Sequence, residues 1–223
     1  MTLEEMASAV RNNVGAGLNE TADYIYSLEQ IYDDLNNAWN TIVENYTKLP
    51  DKTTLDNLAL PIEIEPELYD MPYNFNMGYT GVFHTKIPKV VAIQGSNPVR
   101  FFGPKDMGES YVVYTNPEQV KNHKYKRVTK DRPFGYIDLA RMSENQNDFY
   151  IFNLEQLPSM KMHVIISDPV KYLESQSLFS RGIEFPAPRS MQALMIKTVT
   201  EDYIRYYRGL NPGAQPDTKT DNS

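Results

Sequence analysis

The sequence predicts an α+β protein: a helical bundle from N-terminal helices and a C-terminal helix, with an inserted antiparallel β-sandwich or barrel domain. Three observations carry this prediction. Apolar residues recur at helical spacing in two N-terminal segments and again near the C-terminus. Between them lie short runs rich in aromatic and branched residues, separated by close turns. The stretch 117–153 in the middle holds two such runs, from Phe134 to Leu139 and from Phe149 to Phe152. The polar residues 143–147 separate them, which reads as a β-hairpin.

Taken in order, residues 2–18 read as the first helix. Thr2 is placed to cap it, with Glu5 three residues on. Leu3, Met6, Val10, Val14 and Leu18 share one face, and Gly15 and Gly17 weaken the last turn. A second helix is predicted over about residues 21–46, with Ile25, Leu28, Ile31, Leu35, Trp39, Ile42 and Tyr46 as its stripe. Neither helix buries its stripe alone, so each needs a third helix or a neighbouring subunit. Residues 60–66 alternate apolar and acidic side chains between prolines and read as an extended crossing from helices to sheet.

Strands are then predicted at 86–93, 99–102, 110–114, 135–139, 149–152 and 161–167, with turns at Gly95-Ser-Asn-Pro and Gly103-Pro. The segments between them look too short for crossover helices, so an all-antiparallel arrangement is expected. Asp168-Pro169 leaves the sheet, and Phe185-Pro-Ala-Pro188 introduces the last helix. Met191, Leu194, Met195, Val199, Tyr203 and Tyr206 form its stripe, and Gly209 is the expected stop. The expected organisation is a helical base over 1–66, a β-rich insert over 67–184, a closing helix over 185–209 and an extended tail over 210–223.

The absence of cysteine excludes disulfides, thiolate metal sites and cysteine nucleophiles. No leader pattern and no long apolar run is apparent, so a soluble protein is expected. The net charge of -7 conceals a polarity along the chain. Through Asp70 there are 14 acidic side chains against 3 basic ones, and from Met71 to Pro133 there are 10 basic against 4 acidic. Such a polarity serves solubility, and it also lets copies of one chain meet acidic surface to basic surface.

Catalytic patterns are not found. His84, His123 and His163 lie in separate segments without metal-ligand spacing and read as surface or sheet residues. Gly78-Tyr-Thr-Gly81 lacks the Lys-Ser/Thr of a phosphate-binding loop, and Gly15-Ala-Gly17 falls inside a helix. The basic run, with Lys121, Lys124, Lys126, Arg127 and Lys130 around Tyr125, reads as a solvated loop able to meet phosphates or acidic protein.

In their order and spacing, these segments resemble the ring or adaptor proteins of phage head-to-tail connectors, in the group of podovirus-like, crAss-like phages. The resemblance runs nearly the full length. It is carried by VRNNVGAGL, YSLEQIYDDL, VVYTNPEQVKNHKYKRVTKDRPFGYIDL, FYIFNLEQLPSMKMHVIISDP and FPAPRSMQALMIKTVTEDYIRYYRGLNPGAQPDTKTDNS.

The resemblance implies a non-enzymatic virion protein of the neck, without cofactor or membrane contact and present in host cytoplasm during assembly. It would form a dodecameric ring between the portal protein and adjacent connector or tail ring proteins. Genomic double-stranded DNA would pass through its lumen without specific binding. On this resemblance Tyr206, Tyr207, Leu210, Pro212, Ala214 and Pro216 are candidates for docking to the portal or a neighbour. Glu29, Asp33 and Asp34 are candidates for the channel lining, because a conduit should repel its cargo. Lys121, Lys124, Lys126, Arg127 and Lys130 are candidates for an inter-subunit contact. The alternative is a non-enzymatic, nucleic-acid-binding accessory protein that uses the same basic run.

Overall fold

The structure, a computed structural model, describes residues 1–18, 26–45, 55–69, 79, 82–106, 108–127, 131–143, 146–154, 159–176 and 182–210. Two N-terminal helices open the chain, α1 (Leu3–Leu18) and α2 (Leu28–Glu44). The capping box at α1 forms as its sequence dictates: the Glu5 N–H donates to Thr2 Oγ1 (3.1 Å) and the Thr2 N–H to Glu5 Oε2 (2.9 Å). Helix α2 starts later than its apolar period suggests. Tyr26 and Ser27 are not helical, and Ser27 Oγ caps α2 by accepting from the Gln30 N–H at 3.1 Å. Ile25 and Tyr46, the outer members of the expected stripe, lie outside the described residues.

The C-terminal helix α5 (Arg189–Leu210) packs against both. Met6, Val10 and Val14 of α1, Ile31, Leu35 and Trp39 of α2, and Met191, Met195 and Val199 of α5 share one core. The stripes expected to need one another therefore bury one another. Helix α5 continues through Gly209 to Leu210, because one glycine costs a helix only about 1 kcal/mol.

The β-rich part is a sandwich of two sheets. One holds β1 (Leu60–Ile64), β8 (Met160–Val164) and β4 (Val99–Pro104), in that order and antiparallel. Residues 60–64 thus pair inside a sheet. The other runs β2 (Glu67–Leu68), β3 (Phe83–Pro88), β7 (Gln146–Phe152), β6 (Phe134–Ser143), β5 (Val112–Tyr114). The central hairpin is β6–β7, with Phe134 opposite Phe152 and Ile137 opposite Phe149.

Strand alternation gives the five-stranded sheet two apolar faces. Ile137, Phe149 and Ile151 point into the sandwich, beside Phe102, Met160 and Met162 of the facing sheet. Phe134, Tyr136, Tyr150 and Phe152 point outward. Gly135 makes the inner packing possible, since a Cβ there would lie 2.5 Å from the Phe149 ring.

Three expectations fail here. The all-antiparallel sheet is wrong at one pair, for β5 and β6 are parallel. The connection that makes this possible is α3 (Pro117–His123), a short helix inside the basic run that was read as a loop. Asn116 caps it, accepting from the Glu118 N–H at 2.9 Å, and Pro117 occupies its first turn. Gly103-Pro104 belongs to β4 rather than a turn, and Glu109 backbone lies where a Cβ of Gly103 would sit. Beyond the sheet, α4 (Pro169–Gln176) is a helix that the sequence patterns did not indicate.

Candidate functional site

Two charged surfaces emerge from this architecture, one on the sandwich and one on the helical base. The first is built on the outward aromatic face of the five-stranded sheet. Helix α3 lies over that face, burying Val120 and His123 against Tyr114, Phe134 and Phe152. His123 is only 1% exposed and stacks on Phe134 with ring centroids 4.0 Å apart. Its Nδ1 meets the Tyr114 hydroxyl at 2.9 Å, and Lys126 Nζ donates to that hydroxyl at 2.6 Å. Tyr79 donates its hydroxyl to the Val120 carbonyl at 2.6 Å, and burial pushes its phenol above the usual value. His123, expected on a surface or in a strand, is therefore a helical core residue. It anchors the basic turn that follows it.

With its inner side so fixed, the α3 turn presents Lys121, Lys124, Lys126 and Arg127 to solvent. Lys121 is paired with Glu118 at 2.8 Å, and Lys126 lies over the Tyr114 ring at 4.8 Å from its centroid. Lys124 sits over Tyr125, whose ring is 76% exposed. Lys130 lies outside the described residues. Four of the five expected basic residues are thus brought to one turn, with an uncovered aromatic ring among them.

The second surface is a groove of about 800 Å³ on the base, between the start of α1, the middle of α2 and α4. Glu4, Asp33, Asp168 and Glu174 line it, against one cation among the described residues, Lys171. Asp168 also caps α4, accepting from the Lys171 N–H at 3.1 Å. A second cleft of about 820 Å³ adjoins it and shares Asp33, Asn36, Asp168 and Lys171. The Asn36 and Asn40 side-chain oxygens are buried and lack a hydrogen-bond partner. Sequence reasoning missed the groove, because its carboxylates come from the two N-terminal helices and, far along the chain, from the unexpected helix α4.

The three carboxylates proposed from the sequence as one lining do not all face the same way. Glu29 and Asp33 are exposed and one turn apart, whereas Asp34 is turned toward α5. There it accepts the Tyr203 hydroxyl at 2.5 Å. Burial, and then the Asp34 carboxylate, push the Tyr203 phenol far above its ordinary value. Of the expected docking residues, Tyr206 is 62% exposed near the end of α5, Tyr207 is half-buried and Leu210 is the last residue of that helix. Pro212, Ala214 and Pro216 lie outside the described residues.

Among the described residues, no three of His, Asp and Glu are arranged to hold a metal ion. No helix among them is long and apolar enough to cross a membrane. Comparison with protein-family models and with curated proteins returns no match for this chain.

Proposed function

We propose that this chain is a structural, non-enzymatic ring subunit of a phage head-to-tail connector, joining portal to tail and extending the DNA channel. The observation that carries the reading is the separation of charge between two surfaces of one subunit. The basic turn stands on the outer face of the sandwich, and the acidic groove is on the helical base. Attraction between two different patches on identical subunits is satisfied by heterologous contacts, which close into rings or run on as filaments. A two-fold dimer could pair the same two patches only by using each of them twice across its axis, which needs both on one face of the subunit. The segment order that resembles connector adaptors supports the closed outcome.

In this reading the protein resides in the virion neck, after assembly in host cytoplasm. The end of α5 and the residues beyond it reach the portal. Size-exclusion chromatography with light scattering, run alone and with portal protein, tests it. A multimer of ring size is expected, formed alone or on the portal. A chain that stays monomeric in both cases overturns the reading.

One observation favours a second reading, a nucleic-acid-binding accessory protein: Tyr125 is exposed among cations, as a base-stacking side chain would be. The overall charge of -7 weighs against it. Strongly salt-dependent binding of a labelled DNA by the isolated monomer would favour this alternative.

A further inference from the structure

We infer that the α3 turn of one subunit docks into the acidic groove of the next, with Tyr125 as the inserted side chain. This rests on the ring reading above and names the contact that would hold its subunits together. The turn is a rigid projection. Its helix is fixed by buried Val120 and His123, and Lys126 is tied back to the Tyr114 hydroxyl. Little side-chain freedom is therefore lost at its base when a partner binds, which favours a tight contact.

Tyr125 is the least covered aromatic ring among the described residues, flanked by Lys124 and close to Arg127. A tyrosine with such neighbours has the composition of an interface anchor, apolar in its ring and polar at its tip. The groove offers the complement. Its space of about 800 Å³ is open to solvent and wider than one tyrosine side chain needs.

Its carboxylates Glu4, Asp33 and Glu174 are exposed, so they can meet cations from outside. A second copy of this chain suits the turn better than DNA does. Lys121 and Lys126 already have partners within the subunit, which leaves Lys124 and Arg127 as the main cations offered outward among the described residues of the turn. Two cations neutralise too few phosphates for firm DNA binding, but they match the carboxylates of the groove.

The test uses the full chain with two charge reversals, Lys124→Glu with Arg127→Glu, and Asp33→Lys with Glu174→Lys. All four positions carry exposed or solvent-facing side chains, and circular dichroism checks that each variant is folded. Self-association is followed by sedimentation velocity at about 50 mM salt, where screening is weak. Each variant alone should associate at least about tenfold more weakly than the parent, the scale of close interfacial charge pairs. An equimolar mixture of the two should recover association, because reversed turn then meets reversed groove. Tyr125→Ser should weaken association without changing its salt dependence.

Variants that assemble like the parent, or a mixture that recovers nothing, would overturn this contact while leaving a ring formed by other surfaces. A parent that associates under no condition, portal included, overturns the ring reading and this contact together. Loss of binding to a labelled DNA duplex on Lys124→Glu with Arg127→Glu, with self-association unchanged, would assign the turn to nucleic acid instead.

Discussion

Trp39→Phe tests whether the helical base and the sandwich form one cooperative unit. Trp39 is fully buried in α2, with its ring edge-on to Phe185 at 5.4 Å between centroids. Its indole N–H donates to the carbonyl of Ile166 at 2.9 Å. Ile166 follows β8 and is itself buried in the sandwich core, so this bond ties one core to the other.

Phenylalanine keeps an aromatic ring but removes the donor. A buried carbonyl left without its partner costs about 1–3 kcal/mol. The two ring carbons lost add about 1.6 kcal/mol at ~0.8 kcal/mol per buried carbon. The expected loss is therefore about 3–5 kcal/mol, a large share of the ~5–15 kcal/mol that holds a typical domain. Urea unfolding followed by far-ultraviolet circular dichroism is the suitable assay, because the variant retains no tryptophan to report by fluorescence. The transition should also broaden or split as base and sandwich begin to unfold separately. A loss below about 1 kcal/mol with an unchanged single transition would refute the claim that this bond couples the two cores.

Gly135→Ala should destabilise by about 1–3 kcal/mol, since its Cβ would fall 2.5 Å from Phe149 inside the sandwich; thermal melting reads this directly. Tyr203→Phe should cost about 1–2 kcal/mol at neutral pH, because the hydroxyl that bonds Asp34 is lost. The same pair makes the parent sensitive to alkali. The Tyr203 phenol is raised in the folded state, so the unfolded chain ionises first and stability falls as pH rises past the ordinary value of 10.0. Urea titrations above that pH should fall less steeply for Tyr203→Phe than for the parent. Truncation after Leu210 should leave the melting temperature nearly unchanged, because the shared core of α1, α2 and α5 ends at Tyr203, while weakening retention on portal protein; equal retention would remove the tail from the docking surface.

The sequence by itself determined the elements whose signals are local. Helices α1, α2 and α5 follow from apolar spacing, and the α1 cap from Thr2 and Glu5 alone, because helical partners lie within four residues of one another. The β6–β7 hairpin follows from period-two alternation of the same local kind. The basic turn was also legible, since its cations lie close together in the chain.

Tertiary structure alone decided the rest. A seven-residue helix such as α3 is unstable by itself and exists because Val120 and His123 find Phe134 and Phe152 across the sheet. That packing makes the crossover possible and so permits the parallel β5–β6 pair. It also turns His123 from an apparent surface residue into the anchor of the basic turn. The acidic groove has no local signal at all, because Glu4, Asp33 and Glu174 become neighbours only when α4 packs beside the N-terminal helices. Charge, unlike apolar periodicity, carries no spacing that reveals which distant residues will share a surface.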